Sequence, residues 1–113
     1  MVPPPFDIPS SKEIQVAHWC RPDRPAENDI VAHFRVRGLQ PTRWANGPGE
    51  VYTVHSHAYR KTVYCLEGSI TFSIPDLQRE VELLPGDRLI LPPGTRHGAT
   101  VGPEGVTCIE GGE

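Results

Sequence analysis

Short apolar runs broken by glycine and proline constrain this chain more than anything else in it. Thirteen prolines and eleven glycines are spread over 113 residues. They form no low-complexity tract. They stand between runs such as KTVYCLEG, SITFSIPD, REVELLPGD and RLILPPGT. Proline inside a helix removes a hydrogen bond and clashes with the preceding turn, so this density excludes a helical bundle. Runs of this length bounded by Gly, Pro and Asp are strands joined by tight turns. From Ile30 onward the chain reads as about eight or nine such strands, enough for a closed barrel or a two-sheet jelly roll. DIVAHFRVRGL is counted among them. Its Ile30, Ala32, Phe34 and Val36 alternate with Val31, His33, Arg35 and Arg37, the period of a half-buried strand.

The expected organisation is all-β, with a barrel domain over residues 29–113 and an extended N-terminal arm over residues 1–28. The arm contains VPPPFDIP and CRPDRPAEND, a helical turn around residues 11–16 capped by Ser10 or Ser11, and His18 as a surface residue. A net charge of -3 gives no electrostatic reason to expect nucleic acid or an anionic membrane as partner. No window approaches the roughly 20 apolar residues of a membrane span. MVPPPFDIPSSKE has neither a basic cluster nor an apolar core, so it does not read as a secretory signal, and a cytoplasmic location is expected. Cys20, Cys65 and Cys108 are an odd set without a CxxC pair, unlike a disulfide framework. Cys65 and Cys108 read as small buried hydrophobes. Phe6, Ile8 and Ile14 give the arm more apolar surface than a small barrel buries alone. With a free edge strand, that predicts a homodimer.

The chemistry concentrates in VHSHAYRK, residues 54–61. In a strand, residues two apart share a face, with Cβ atoms about 6.5–7 Å apart. That parity sets Thr53, His55 and His57 on one face and Tyr52, Val54 and Ser56 on the other. Two imidazoles so placed can lean toward one cation at about 2.0–2.2 Å. Two ligands make a weak site. The best third is His97, in PPGTRHGATV, the only histidine in the second half of the chain.

At these residues the chain resembles the cupins. Gly49, His55, His57, position 61 and Gly68 match the spacing of the first cupin motif, G-x5-H-x-H-x3-E-x6-G. Gly86, Pro92, Gly94 and His97 match the second, G-x5-P-x-G-x2-H-x3-N. The resemblance covers residues 49–101 and implies a jelly-roll barrel with a divalent metal in its mouth. Carried over residue by residue, it implies His55, His57 and His97 as ligands. Gly68 and Gly86 also have their own reason, at positions needing positive φ or close backbone approach.

Two positions depart from the pattern. Val101 stands where the family has Asn, and suits an inward strand position. Lys61 stands where it has the carboxylate ligand. A unit charge about 5 Å from a divalent ion is repelled by roughly 6–7 kcal/mol at an effective dielectric near 20. The lysine must then be neutral, paired with a carboxylate such as Glu110, turned away, or the site holds no tight cation. Three neutral histidines still make an adequate site for Fe, Zn, Ni, Mn or Cu, with open positions and undiminished positive charge. Such a site favours an anionic or chelating small molecule. Lys61 is the candidate catalytic residue, orienting that molecule, and Tyr59, Lys61, Arg96 and Glu110 are the candidate ligand contacts. Trp44 reads as packing or as pocket wall. The function expected is a small cupin that binds or converts a polar or anionic metabolite, in a dioxygenase-type reaction if it is an enzyme. The alternative is a non-catalytic binding or sensing cupin, metal-free in one form, with an anion held by Lys61.

Overall fold

The computed structural model describes residues 13–113. In chain order its elements are β1 (Gln15–Ala17), α1 (Glu27–Val36), β2 (Thr42–Asn46), β3 (Val51–His55), β4 (Lys61–Ile74), a 3-10 turn (Pro75–Leu77), β5 (Arg79–Leu83), β6 (Arg88–Leu91) and β7 (His97–Gly112). The proline-rich stretch with Phe6, Ile8 and the expected cap at Ser10 or Ser11 lies outside the described residues. No described helix is long and apolar enough to cross a membrane.

Two long strands organise everything else. β4 runs 14 residues and β7 runs 16. They lie antiparallel along most of their length, from Lys61 opposite Gly112 to Ser73 opposite Gly98. On its other edge β4 takes β6 against residues 61–64 and β5 against residues 70–74. β7 divides likewise, with β3 against residues 97–100 and β2 against residues 106–110. β1 extends the β6 edge. Each long strand therefore belongs to both halves of a jelly roll.

The bend falls at register shifts between Cys65 and Glu67 and between Gly68 and Ile70. Gly68 has φ +75°, and a Cβ there would stand 2.0 Å from the Gly105 carbonyl oxygen. Both physical reasons for a glycine hold, but at a bulge in mid-strand rather than in a hairpin. The runs on either side of Gly68, and those flanking Gly102 and Gly105, are continuous. These two mergers, with DIVAHFRVRGL helical and β1 contributed by the arm, leave seven strands among the described residues where about eight or nine are expected from Ile30 onward.

The main core lies inside the roll, where Val63, Cys65, Leu83, Leu89, Leu91 and Cys108 are almost wholly buried. The two thiols are the small buried hydrophobes expected of them. They face each other across β4 and β7, and the hydrogen bond to Cys65, then burial, pushes the Cys108 thiol far above its usual range. Neither is poised as a nucleophile.

DIVAHFRVRGL is a helix, not a strand. Ile30 and Phe34 are buried together with Leu66 and Ile109, while Val36 is 86% exposed. Residues four apart share a face in a helix and also in a strand, so the alternation fitted both. Glu27 and Asp29 in the first turn and His33 and Arg35 in the last favour the helix through its dipole. Burying Phe34 contributes about 1.5–3 kcal/mol. It sits under Gly111, where a Cβ would come within 2.8 Å of its ring.

The described part of the arm is also extended rather than helical. Gln15–Ala17 pairs with β6 in place of the expected helical turn. Asp87 fastens the following residues, its carboxylate accepting from the Trp19 N–H at 2.8 Å and the Leu84 N–H at 2.9 Å. His18 is exposed, 3.3 Å from the same carboxylate.

Candidate metal centre

The three histidines reach one cavity by different backbone routes. His55 ends β3, and its partner across the ladder is His97, the first residue of β7. His57 lies beyond the end of β3, in a loop tied down where the Gly94 N–H donates to its carbonyl at 2.8 Å. Gly94 takes φ +81° in the turn closed by the Thr95 N–H on the Pro92 carbonyl. Strand parity is therefore not what brings His55 and His57 together. A loop does it, pinned by the same proline–glycine turn that aims His97.

The ring centroids are 4.5 Å apart for His55–His97, 4.8 Å for His55–His57 and 5.3 Å for His57–His97. One nitrogen from each ring lies within 4.8 Å of the other two. A carbonyl oxygen only accepts hydrogen bonds. The Nδ1–H of His97 therefore donates to the Thr95 carbonyl at 2.9 Å, and that of His55 to the Thr53 carbonyl at 2.8 Å. In the neutral ring this leaves Nε2 with a lone pair, the form that ligates metals. The Nε2 atoms of His57 and His97 are buried without a hydrogen-bond partner.

Charge around the rings points the same way. Burial first, then Lys61 and His55, hold His57 below the ordinary imidazole value, against an opposing pull from Glu110. For His97 burial again dominates. Its bond to Thr95 opposes the lowering, and His55, Lys61 and His57 add to it. Both rings are biased to the neutral state that a cation requires. Orphaned, convergent, neutral imidazole nitrogens fit a divalent metal.

Lys61, the first residue of β4, is buried beside them. Its Nζ lies 3.1 Å from Oε1 of Glu110, and the indole N–H of Trp44 donates to that same oxygen at 2.8 Å. Glu110 follows the inward parity of Val106 and Cys108, both buried. The cavity enclosed is about 210 Å³, below the roughly 300–1,000 Å³ of typical ligand pockets. His55, His57, His97, Lys61 and Glu110 form its polar wall, and Trp44, Tyr52 and Phe72 its aromatic one. Trp44 and Tyr52 meet edge to face at 5.9 Å, and the Tyr52 hydroxyl donates to Asn46 Oδ1.

Tyr52 corrects the parity argument a second time. It faces the cavity together with His55, although three positions separate them. Tyr52 pairs with Ala99 and His55 with His97, so β3 spends one residue more than β7 over that step. This bulge turns Tyr52 inward and leaves no signature in the sequence. The other expected contacts lie elsewhere. Tyr59 stacks on His57 at 4.9 Å and 29° without joining the cavity lining. Arg96 pairs at the surface with Asp76, 2.8 Å away, and does not line the cavity. Val101 is buried in the core.

A family model described as cupin domain matches residues 42–110. Several solved structures share the fold. A polyketide cyclase, RemF from Streptomyces resistomycificus, is 28% identical over 66% of this chain and 54% of its own, with a TM-score of 0.60. An RmlC-like cupin from Shewanella frigidimarina is 26% identical over 66% and 64%, with a TM-score of 0.58. KdgF from Halomonas sp. is 20% identical over 88% and 79%, with a TM-score of 0.57, a likeness of fold. The chain thus spans less than two thirds of the cyclase and of the Shewanella protein. No curated protein matches it in sequence.

Proposed function

The chain belongs to the cupin family, and from that premise we infer that His55, His57 and His97 hold one divalent metal ion beside a cavity that binds or converts a small polar or anionic organic molecule. The observation that carries this reading is the pair of buried Nε2 atoms, on His57 and His97, that no protein group satisfies. Buried polar atoms are seldom left unpaired without a ligand, ion or water to complete them. A metal bound there would act as a Lewis acid toward a ligated oxygen. Imidazole ligands suit Fe, Zn, Ni, Mn or Cu. Lys61 would orient an anionic group against that centre, and Glu110 would accept a hydrogen bond from the same molecule. Tyr59 and Arg96 lie farther out, where a ligand projecting from the mouth would meet them. Dioxygenase-type oxidation is the candidate reaction. A polyketide cyclase among the structural neighbours supports small-molecule chemistry in a barrel of this shape.

The second reading is a metal-free binding cupin in which Lys61 and protonated histidines hold an anion. The lysine at the carboxylate position speaks for it. Against it, Lys61 must leave Glu110, and His57 and His97 must charge against burial and mutual repulsion. Metal content by plasma mass spectrometry decides between them, on tag-free protein beside His97→Ala. Near-stoichiometric metal lost in the variant carries the first reading. Protein that neither holds nor takes up Fe, Mn, Ni, Zn or Cu carries the second. Oxygen consumption by the metal-loaded protein over a panel of small oxyacids then separates catalysis from binding.

The reading keeps an arm of residues 1–28, a barrel domain of residues 29–113, a cytoplasmic setting and a homodimer joined through the arm. Light scattering before and after deletion of residues 1–12 tests the last point. An unchanged mass would remove the arm from it.

A further inference from the structure

Lys61 occupies the place of a metal-ligating carboxylate, yet a carboxylate is still present in the cavity. Among the described residues Glu110 is the one acidic residue lining it, and it comes from β7 instead of β4. Val63 is opposite Glu110 in the ladder, so Lys61 is its diagonal neighbour, within reach of a long side chain. The contacts to Glu110 are one-sided. Lys61 Nζ at 3.1 Å and Trp44 Nε1–H at 2.8 Å both fall on Oε1, leaving the second oxygen outside this pair of contacts. Both charged groups also act on the His57 ring, with opposite signs.

We propose that Glu110 is the site's carboxylate ligand relocated to a neighbouring strand, and that Lys61 is a latch that holds it off the metal. The proposal rests on the three-histidine metal reading above. A lone ammonium in this cavity would repel a divalent cation, and a lone carboxylate would ligate it. Paired, they cancel, and the coordination positions beyond the three histidines stay open for a ligand. The two side chains should therefore have opposite effects on the same metal. A purely structural ion pair would not produce that, because losing either partner would harm the site in the same direction.

The test uses the full-length protein, Lys61→Met, Glu110→Gln, the double variant and His97→Ala. Zn²⁺ affinity is measured by competition with a chromophoric chelator, and the visible spectrum of bound Co²⁺ reports the ligand set. Lys61→Met should bind Zn²⁺ about tenfold more tightly and change the Co²⁺ spectrum as a carboxylate oxygen joins the centre. Glu110→Gln should bind about ten- to a hundredfold more weakly. The double variant should fall between them. Lys61→Gln, which keeps a donor for Glu110, serves if the methionine variant folds poorly, as melting in chelator will show. Equal or weaker binding in the folded Lys61 variant overturns the latch, and so does unchanged binding in Glu110→Gln. If the wild type binds Zn²⁺ and His97→Ala does not, such a result sinks the latch alone. A wild type without metal beside a Lys61→Met protein that binds it would support the latch in its strongest form. Failure of every variant to bind would end both readings.

Discussion

Two polar groups share one cavity and are treated in opposite ways. Lys61, Glu110 and Trp44 complete one another, with two donors converging on one carboxylate oxygen. The histidines do not. Two of the three anchor Nδ1 on a backbone carbonyl, yet His57 and His97 leave Nε2 buried and unmet. Both groups bear a desolvation cost. Only the first recovers it within the chain. Buried polar groups are normally completed, and the uncompleted pair marks where something from outside is needed.

If that contrast is right, the largest effect is the stabilisation by metal. At a thousandfold excess over its dissociation constant, a divalent ion should raise the stability by about 4.1 kcal/mol. The melting temperature should rise accordingly in Zn²⁺ relative to chelator, and by far less in His97→Ala. Equal shifts in both proteins would move the ion to another site.

The completed group answers to a different experiment. In chelator, Glu110→Gln should lose about 2–3 kcal/mol in urea unfolding, below the 3–5 of a fully buried broken pair because these side chains are 11% and 23% exposed. Adding Lys61→Met should bring stability back to within about 1 kcal/mol of the wild type, since glutamine still accepts from Trp44. Additive losses in the double variant would mean that the two residues are not a unit.

A third test lowers the pH of the metal-free protein. His57 and His97 titrate below the ordinary imidazole value when folded, so as pH falls through about 6.5 the unfolded chain takes up protons first. The stability these neutral rings contribute is complete above that value and is lost as the pH falls toward their folded pKa. The slope cannot exceed about 1.4 kcal/mol per pH unit for each proton. Replacing His97 with Phe should flatten it, and a slope of unchanged steepness would free His97 of the effect.

How far the sequence revealed all this follows from the same physics. Both motifs carry fixed spacings between turn glycines and histidines, and turn geometry is local. The three histidines and the jelly roll were therefore legible. Glu110 could be named by counting alternate residues forward from Val106 and Cys108. What escaped depended on register. The bulge between Tyr52 and His55 turns an aromatic ring into the cavity without changing composition or hydropathy. Ile30 and Phe34 lie four apart, a spacing that strand and helix both allow, and Leu66 and Ile109 across the fold decided between them. Lys61 was visible as a departure. Its partner three strands later in the chain made it intelligible.

The smallest effect concerns Tyr59, which stands between the two groups in function. It was expected to touch a ligand, and it lies stacked on His57 at 4.9 Å, partly exposed, over Gly112. Ring stacking of this kind contributes about 0.5–1.5 kcal/mol beyond the area it buries. By fixing the plane of His57, it positions a nitrogen that has no hydrogen bond to hold it. Tyr59→Leu should therefore weaken Zn²⁺ binding by less than about tenfold. Tyr59→Phe should leave it unchanged, because the ring does the positioning and the hydroxyl does not. Small-ligand binding to the metal-loaded Phe variant then sharpens the comparison. If it falls while metal affinity holds, the hydroxyl meets the ligand at the mouth, and the boundary of the site moves outward to include Tyr59. If neither changes, Tyr59 belongs with the scaffold that aims the histidines.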